Sequence, residues 1–302
     1  MHNKAMDTEA LRTFLAVHRT GGFSAAADQL RRSQPAISRR IALLEDELGA
    51  PVFERTAGGV TLSQVGRTLV PHAERVIAAL EDARRAVRDL HGADAGPVAL
   101  AVVGTLAGPN LTKALQRFIA QAPNVSLTLR TATSREISDL VRRGEADLGL
   151  RYFEDRSEDL QHHPLSPERL VVACATGHAL AGRSVAGLAD LAGEHWLAFP
   201  RRDEGGEIAA ETLAAQFLAR RIGDFRWSAV DSLTAQKRLV EAGFGVCLLP
   251  ESSIMEERAA RSLATIAVAD LDAFNPVFAI QRRGGYLSGA ARVLLALLTQ
   301  PA

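Results

Sequence analysis

The chain has 302 residues, 47% of them hydrophobic, and its 35 basic and 35 acidic residues leave no formal net charge. That length predicts two or three domains with sizeable cores, and the neutral balance excludes a globally basic nucleic-acid coat, so any DNA-binding field has to be local. No apolar run approaches membrane-spanning length and the opening MHNKAMDTEA holds no hydrophobic signal segment, which predicts a cytoplasmic protein with no membrane partner.

An amphipathic helix is predicted from about Thr8 to Thr20, with Leu11, Phe14, Leu15 and His18 on one side. Gly21-Gly22 interrupts the pattern, and a second short helix is expected over Ala25–Leu30 with Ser24 as its N-cap. The third helix opens on Ser33-Gln34-Pro35. Pro35 suits a first turn, because its φ is already helical and its missing N–H would have had no partner there. Ser33 or Gln34 sits where a side-chain acceptor caps that end. Ile37, Ile41, Leu44 and Leu48 step by four, three and four and form one buried stripe, which leaves Pro35, Arg39 and Ala42 on the far face with Ser38 on its flank.

The charge on this helix is arranged against its dipole. Arg31, Arg32, Arg39 and Arg40 crowd the N-terminal end, and Glu45, Asp46 and Glu47 gather at the other. The macrodipole favours the reverse order. Phosphate and base-edge contacts at the N-terminal end account for the polarity, as for a helix that enters a DNA major groove. The candidate DNA-contacting residues are Ser33, Gln34, Pro35, Ser38 and Arg39, with Arg31 and Arg32 beside them. A solvated basic turn is the competing explanation for the arginines alone; their coincidence with helix-turn-helix spacing favours DNA.

Several blocks in fixed order carry a family resemblance: Leu11-Arg12-Thr13-Phe14, Gly22-Phe23-Ser24-Ala25-Ala26-Ala27 and Ser33-Gln34-Pro35-Ala36-Ile37-Ser38-Arg39. Leu44-Glu45-Asp46-Glu47-Leu48-Gly49, Val52-Phe53-Glu54-Arg55, Thr61-Leu62-Ser63 and Gly66 complete the run. With these, the first ninety or so residues resemble a LysR-type transcriptional regulator. The resemblance implies a winged helix-turn-helix in which the positions of Gln34, Pro35, Ser38 and Arg39 face DNA and Arg55 leads into a β-wing. The wing tip, Ala57-Gly58-Gly59, lacks the basic residue relatives often carry there, so few phosphate contacts are expected from it.

A long helix is predicted from Ser63 to about His91, where Leu69, Ala73, Val76, Leu80, Ala83, Val87 and Leu90 step by four and three without a slip. That period favours a coiled-coil linker of roughly 40 Å. It predicts a homodimer or homotetramer whose paired heads bind pseudo-palindromic promoter DNA. Residues 1–92 carry 13 basic against 11 acidic side chains, too small a surplus to argue from.

After the break at Gly92–Gly96, strands are expected at Val98–Val103, Val125–Thr131 and Asp147–Arg151, with helices at Gly108–Gln121 and Glu136–Arg143. A second set places strands at Arg169–Ala175, Trp196–Phe199, Phe225–Ala229 and Gly245–Leu249, with helices at Glu207–Arg220 and Ser232–Ala242. Asn275–Arg282 and Tyr286–Leu298 supply a returning strand and helix. Such alternation predicts α/β units with a largely parallel sheet. Ala122-Pro123-Asn124-Val125, Arg143-Gly144-Glu145-Ala146-Asp147-Leu148 and Ala242-Gly243-Phe244-Gly245-Val246 resemble the two-lobed, periplasmic-binding-protein-like (type 2) effector domain of the same family. The expected organisation is a DNA-binding domain over 1–62, a linker helix over 63–92 and an effector domain over 93–302. Lobe I covers about 97–166 and 268–302, and lobe II about 167–267.

Ligands of such sheets bind beyond the carboxyl ends of strands. The candidates are Gly104 and Thr105, Thr133 and Ser134, Pro200 and Arg201, and Asp231 and Ser232. Helix N-termini at Thr105 and Ser134 and a clamp from Arg201 suit a small organic anion such as a carboxylate. Relatives often have Ser at Val103 and Gly at Ala132. Cys174 and Cys247 sit in apolar strand settings with no basic neighbour, so buried structural cysteines are expected rather than a redox pair. His162-His163 point to opposite faces of a strand, and no metal or other cofactor is expected. An α/β enzyme or a solute-binding protein fused to a DNA-binding head is the alternative, but G-x-S-x-G, Walker, G-x-G-x-x-G and H-E-x-x-H motifs are all missing. The reading is a ligand-responsive regulator, not an enzyme, with RNA polymerase as a further expected partner.

Overall fold

The computed structural model of the chain describes residues 6–56, 59–90, 96–200, 213–223 and 225–300. The N-terminal unit is built from α1 (Thr8–Thr20), α2 (Phe23–Leu30), α3 (Gln34–Leu48), the antiparallel pair β1 (Phe53–Thr56) and β2 (Gly59–Leu62), and the long α4 (Gln64–Asp89). Asp7 caps α1 by accepting from the Ala10 N–H, and Gly21 ends it in the left-handed region. The second helix starts earlier than expected: Gly22 is its N-cap and Ser24 lies inside it. His18 is exposed, and Val17 takes the buried place beside Leu11, Phe14 and Leu15. These pack with Ala26, Ile37, Ile41, Leu44 and Val52 into one core, which Leu69 and Ala73 of α4 also join. Gly66 lets α4 start tight against the wing, since a Cβ there would lie 2.1 Å from the Val52 carbonyl oxygen.

In the C-terminal unit, β3 (Val98–Val102), β4 (Leu127–Thr131) and β5 (Leu148–Tyr152) are parallel, with α5 (Pro109–Gln121) and α6 (Ser134–Arg142) connecting them. A second core gathers around β6 (Leu160–Ala175), β7 (Ser184–Val185), β8 (His195–Ala198), β9 (Arg226–Ala229), β10 (Cys247–Pro250) and β11 (Leu263–Val268). The helices α7 (Leu213–Ala219), α8 (Leu233–Glu241) and α9 (Met255–Ala259) accompany these strands, and β12 (Phe274–Arg282) and α10 (Gly289–Thr299) return to the first core. Two apolar layers flank the β3–β5 sheet: Phe118, Leu294 and Leu297 lie with Leu100, and Ile137, Leu140 and Val141 lie with Ala101. Trp196 centres lobe II, edge-on to Phe217 at 5.3 Å between ring centroids.

The sheet is less parallel than the alternation predicts. Only the β3–β4, β3–β5, β7–β11 and β8–β9 pairs are parallel among the named strands, whereas β6 and β12 run antiparallel to their neighbours. The expected strand Arg169–Ala175 is the second half of the 16-residue β6. Its first part, Leu160–Arg169, pairs with β12, and its last part, Leu170–Ala175, pairs with β10 and β11. A register shift between Asn275 and Val277 marks the passage from one lobe to the other. The expected helix Glu207–Arg220 is described from Leu213 onward, and most of the Gly92–Gly96 break lies outside the described residues.

Candidate DNA-reading face and effector cleft

The turn between α2 and α3 is short because Arg31 takes a left-handed conformation, φ 52°. Its N–H donates to the Asp28 carbonyl and that of Arg32 to Ala27, which closes α2 and turns the chain into α3. Ser33 is the N-cap of α3 by backbone geometry, without a side-chain capping bond. Ile37, Ile41 and Leu44 are buried and Leu48 partly so. That anchors the opposite face outward: Arg31, Arg32, Ser33, Gln34, Pro35 and Arg39 are exposed and Ser38 is half-buried. Gln34 Nε2 donates to Ser38 Oγ at 2.9 Å, one helical turn away. Arg40 is turned aside toward Asp7 at 3.4 Å. Arg55 lies in β1 opposite Val60, and Ala57 and Gly58 fall outside the described residues.

On α4 the seam residues divide. Leu69 and Ala73 are spent on the core of their own head, and Leu80 is half-buried. Val76, Ala83, Val87 and Leu90 stand exposed, Val87 at 59% and Leu90 at 83%.

In the C-terminal unit the expected cleft residues separate into two groups. Thr105 is buried, and its hydroxyl pairs with the Tyr152 hydroxyl at 2.9 Å. Ser134 Oγ accepts the Tyr152 N–H at 3.3 Å, so Tyr152 brings Thr105 and Ser134 to one place. Gly104 opens the 3-10 turn that carries Thr105, and Thr133 N-caps α6 through a capping box with Glu136. On the other lobe Ser232 caps α8 by accepting from the Ala235 N–H, Asp231 is exposed and Pro200 follows β8. Arg201 lies outside the described residues. The lobes meet where the Gly104–Leu106 turn touches the Glu251–Ile254 turn. Ser252 there donates to Glu168 on β6. Burial pushes the Glu168 carboxyl up, against the pull of that hydrogen bond.

Sequence reasoning passed over Tyr152, Glu168 and Ser252, whose roles depend on contacts between distant segments. It also passed over Arg151, 3% exposed, which donates to Ser138 and pairs with Asp155 at 3.1 Å. An arginine inside the apolar Leu-Gly-Leu-Arg-Tyr strand is a signal for such a network. Burial opposes ionisation of Asp155, but hydrogen bonds from Ser157 and Ser138 and the Arg142 charge hold its carboxyl far below the usual range. The two cysteines are buried and lie in different apolar layers, Cys174 with Trp196 and Cys247 with Ile254. Burial pushes the Cys174 thiol up to about 11 and the Cys247 thiol higher still. Among the described residues no cluster of His, Cys, Asp and Glu is arranged for a metal, and no helix is long and apolar enough to cross a membrane.

A reading helix on a winged head, a long linker and a two-lobed α/β unit define a class, and comparison with known proteins gives the family. Residues 8–67 match the bacterial regulatory helix-turn-helix protein, lysR family, and residues 91–301 match the LysR substrate binding domain. The HTH-type transcriptional regulator TfdS of Cupriavidus pinatubonensis (strain JMP 134 / LMG 1197) is 31% identical over 277 residues, 90% of this chain and 91% of its own length. The uncharacterized HTH-type transcriptional regulator YbhD of Escherichia coli (strain K12) is 28% identical over 97% of this chain and 90% of its own. Among solved structures, full-length CbnR complexed with its target DNA superposes with a TM-score of 0.63 at 25% identity, covering 97% of this chain and 99% of the other. The chain belongs to the LysR family of DNA-binding transcriptional regulators, which act through DNA and effector binding and not as enzymes.

Proposed function

We propose that this protein reads a pseudo-palindromic promoter site with paired α3 helices and is switched by a small organic anion held between lobes I and II. The observation that carries the reading is the outward face of α3, where Gln34, Pro35 and Arg39 are exposed while Ile37, Ile41 and Leu44 anchor the helix. Pairing is supported by the exposed Val76, Ala83, Val87 and Leu90, which follow one stripe along α4 once its other sides are covered by the head and by lobe I. A two-fold pair of heads matches a two-fold operator. The proposed division is head (1–62), linker (63–92) and effector domain (93–302), and the change of β6 partners between Arg169 and Leu170, close to the expected boundary at 166–167, supports the split into lobes.

For the effector, the positive dipole ends at the starts of α6 and α8, beside Thr133, Ser134, Asp231 and Ser232, support an anion. Gly104, Thr105, Pro200 and Arg201 complete the proposed lining. The protein acts in the cytoplasm, and RNA polymerase is its partner at the promoter. The test is salt-dependent binding of the full chain to the DNA upstream of its own gene, compared with scrambled DNA. The expected result is a tight, sequence-dependent complex that Val87→Asp weakens by unpairing the heads. Equal affinity for both DNAs overturns the reading.

A further inference from the structure

The loop Phe153–Asp159 joins β5 to β6 and begins directly after Tyr152. Phe153 enters it at φ 56°, with its N–H on the Pro276 carbonyl at 2.9 Å. A bulky side chain is strained in that region and stays there only under constraint from its surroundings. Arg142 of α6 supplies part of that constraint. It reaches Asp155 at 2.6 Å and Asp159 at 3.1 Å, and donates to Ser157 Oγ at 2.6 Å. Arg151 adds a second cation at Asp155, 3.1 Å away, and Arg283 donates to the Glu158 carbonyl at 2.8 Å.

One anchor of the loop has a different chemistry. The Asp155 N–H donates to His162 Nε2 of β6 at 3.2 Å. A backbone N–H offers only a proton, so Nε2 must present its lone pair and the ring must be neutral, with its own proton on Nδ1. A proton added at Nε2 sets two donors face to face. The half-buried ring lies edge-on to Phe278 of β12, 5.8 Å between centroids, and its strand position pairs with Ile280. The charged groups about it are Glu154 and Asp155 of the loop, Arg151 of β5 and Arg283 beyond β12, with Arg142, Asp139 and Asp159 linked through Asp155. His163 takes the other face of the strand, toward Gln281. Burial pulls the His162 pKa down from its ordinary 6.5; Glu154 and Asp155 pull it back up, and Arg151 and Arg283 push it lower.

We propose that His162 is an acid-sensitive latch on the Phe153–Asp159 loop: neutral, it holds the loop through the Asp155 N–H, and protonated, it lets that end go and frees Phe153 from its left-handed conformation. The folded ring takes its proton at lower pH than a free one, so the folded state binds fewer protons just below pH 6.5. Lobe I therefore loses stability as the pH falls through that range. The loop follows Tyr152, which holds Thr105 and Ser134, so its release loosens the lobe I wall of the cleft. That last consequence rests on the cleft reading above; the latch does not. Acid is then a second input to lobe I, separate from the effector.

The latch is tested on the full chain without DNA or effector. The His162 imidazole resonance and hydrogen exchange at the Asp155 amide, corrected for its intrinsic pH dependence, are followed by NMR from about pH 8 to about pH 5. The ring should titrate below pH 6.5, and protection of the Asp155 amide should fall about tenfold or more in step with it. His162→Gln offers an amide oxygen that accepts without titrating, so protection in that variant should stay level across the range. A parent in which the ring titrates while Asp155 stays protected overturns the latch. So does a pH-dependent loss of protection that persists undiminished in His162→Gln. Failure of the cleft reading looks different: no carboxylate would bind between the lobes, while the ring and the Asp155 amide would still change together.

Discussion

The reading face of α3 and the cleft between the lobes both offer polar residues to a partner, but in opposite conditions. Gln34, Pro35 and Arg39 lie in solvent, and Arg39 has no ion pair among the described residues. In the cleft, Thr105 is paired with Tyr152, Thr133 with Glu136, Ser134 with the Tyr152 N–H and Ser232 with the Ala235 N–H. The head meets a rigid polyanion with Arg39 outside any ion pair and Gln34 tied only to Ser38 one turn along the same exposed face. The cleft meets a small molecule with groups that already carry internal bonds: the Ser134 and Ser232 hydroxyls still have a proton to donate, whereas the Thr105–Tyr152 and Thr133–Glu136 pairs yield to a ligand only by exchange. A sequence motif therefore says more about a free face than about a satisfied one.

The largest effect should come from breaking each unit separately. A Cβ at Gly66 would sit 2.1 Å from the Val52 carbonyl oxygen, and one at Gly245 the same distance from that of His195. Gly66→Ala should cost the head on the order of 3 kcal/mol or more, abolishing operator binding while lobe II keeps its unfolding transition. Gly245→Ala should do the reverse to lobe II. Calorimetry of the two variants checks this, and simultaneous loss of both transitions in either would contradict their separation.

Next in size, Arg39→Ala should weaken operator binding by about 1–3 kcal/mol and lower the salt slope by about one, with the unfolding of the lobes unchanged. Unaltered DNA affinity would remove Arg39 from the groove. On the cleft side, Thr105→Val removes the buried hydrogen bond between the Thr105 and Tyr152 hydroxyls and should destabilise lobe I by about 1 kcal/mol, read as a lower urea midpoint. A silent Thr105→Val would mean that the cleft groups are less committed than their contacts imply.

Acid sharpens the contrast further. The Asp155 carboxyl is depressed in the fold, so its contribution is present above the ordinary carboxylate range near pH 4 and is lost as pH falls below it. Asp155→Asn should therefore lower the urea midpoint at pH 7, and its gap to the parent should begin to narrow below about pH 4 and keep shrinking as the pH falls further toward the depressed pKa of the folded state. A constant gap across that range would show that Asp155 acts by shape rather than charge.

The same division explains what could be read from the chain. The three head helices and the long linker follow from local periodicity, capping and glycine placement, and the wing from the family resemblance. β6 did not, because Pro164 and Pro167 punctuate Leu160–Ala175 as a loop would. The antiparallel ladders with β12, β10 and β11 hold it extended across both lobes, a long-range cause. β11 and α9 were likewise passed over. At the cleft, strand ends indicated where Thr105 and Ser134 lie, but not that Tyr152 joins them. On α4 the heptad was legible, yet periodicity could not tell that Leu69 and Ala73 serve the head core while Val87 and Leu90 stay exposed.

The smallest expected effect is also the one that best separates fold from function within the head. Arg31 occupies the left-handed region at the end of α2, where a side chain costs roughly 1–2 kcal/mol relative to ordinary backbone. Glycine avoids that cost but loses more freedom on folding, about 0.5–1 kcal/mol. The balance favours Arg31→Gly by up to about 1.5 kcal/mol, so the head's Tm should rise slightly. Arg31 is also exposed beside the N-terminal end of α3, where it is placed to meet a phosphate, and its removal should lower both operator affinity and the salt slope. Stability and binding then move in opposite directions from one substitution, as they must if the strained arginine is kept for DNA. A variant that is more stable and binds as tightly as the parent would instead make Arg31 a solvated turn residue, and the phosphate contacts would fall to Arg32 and Arg39.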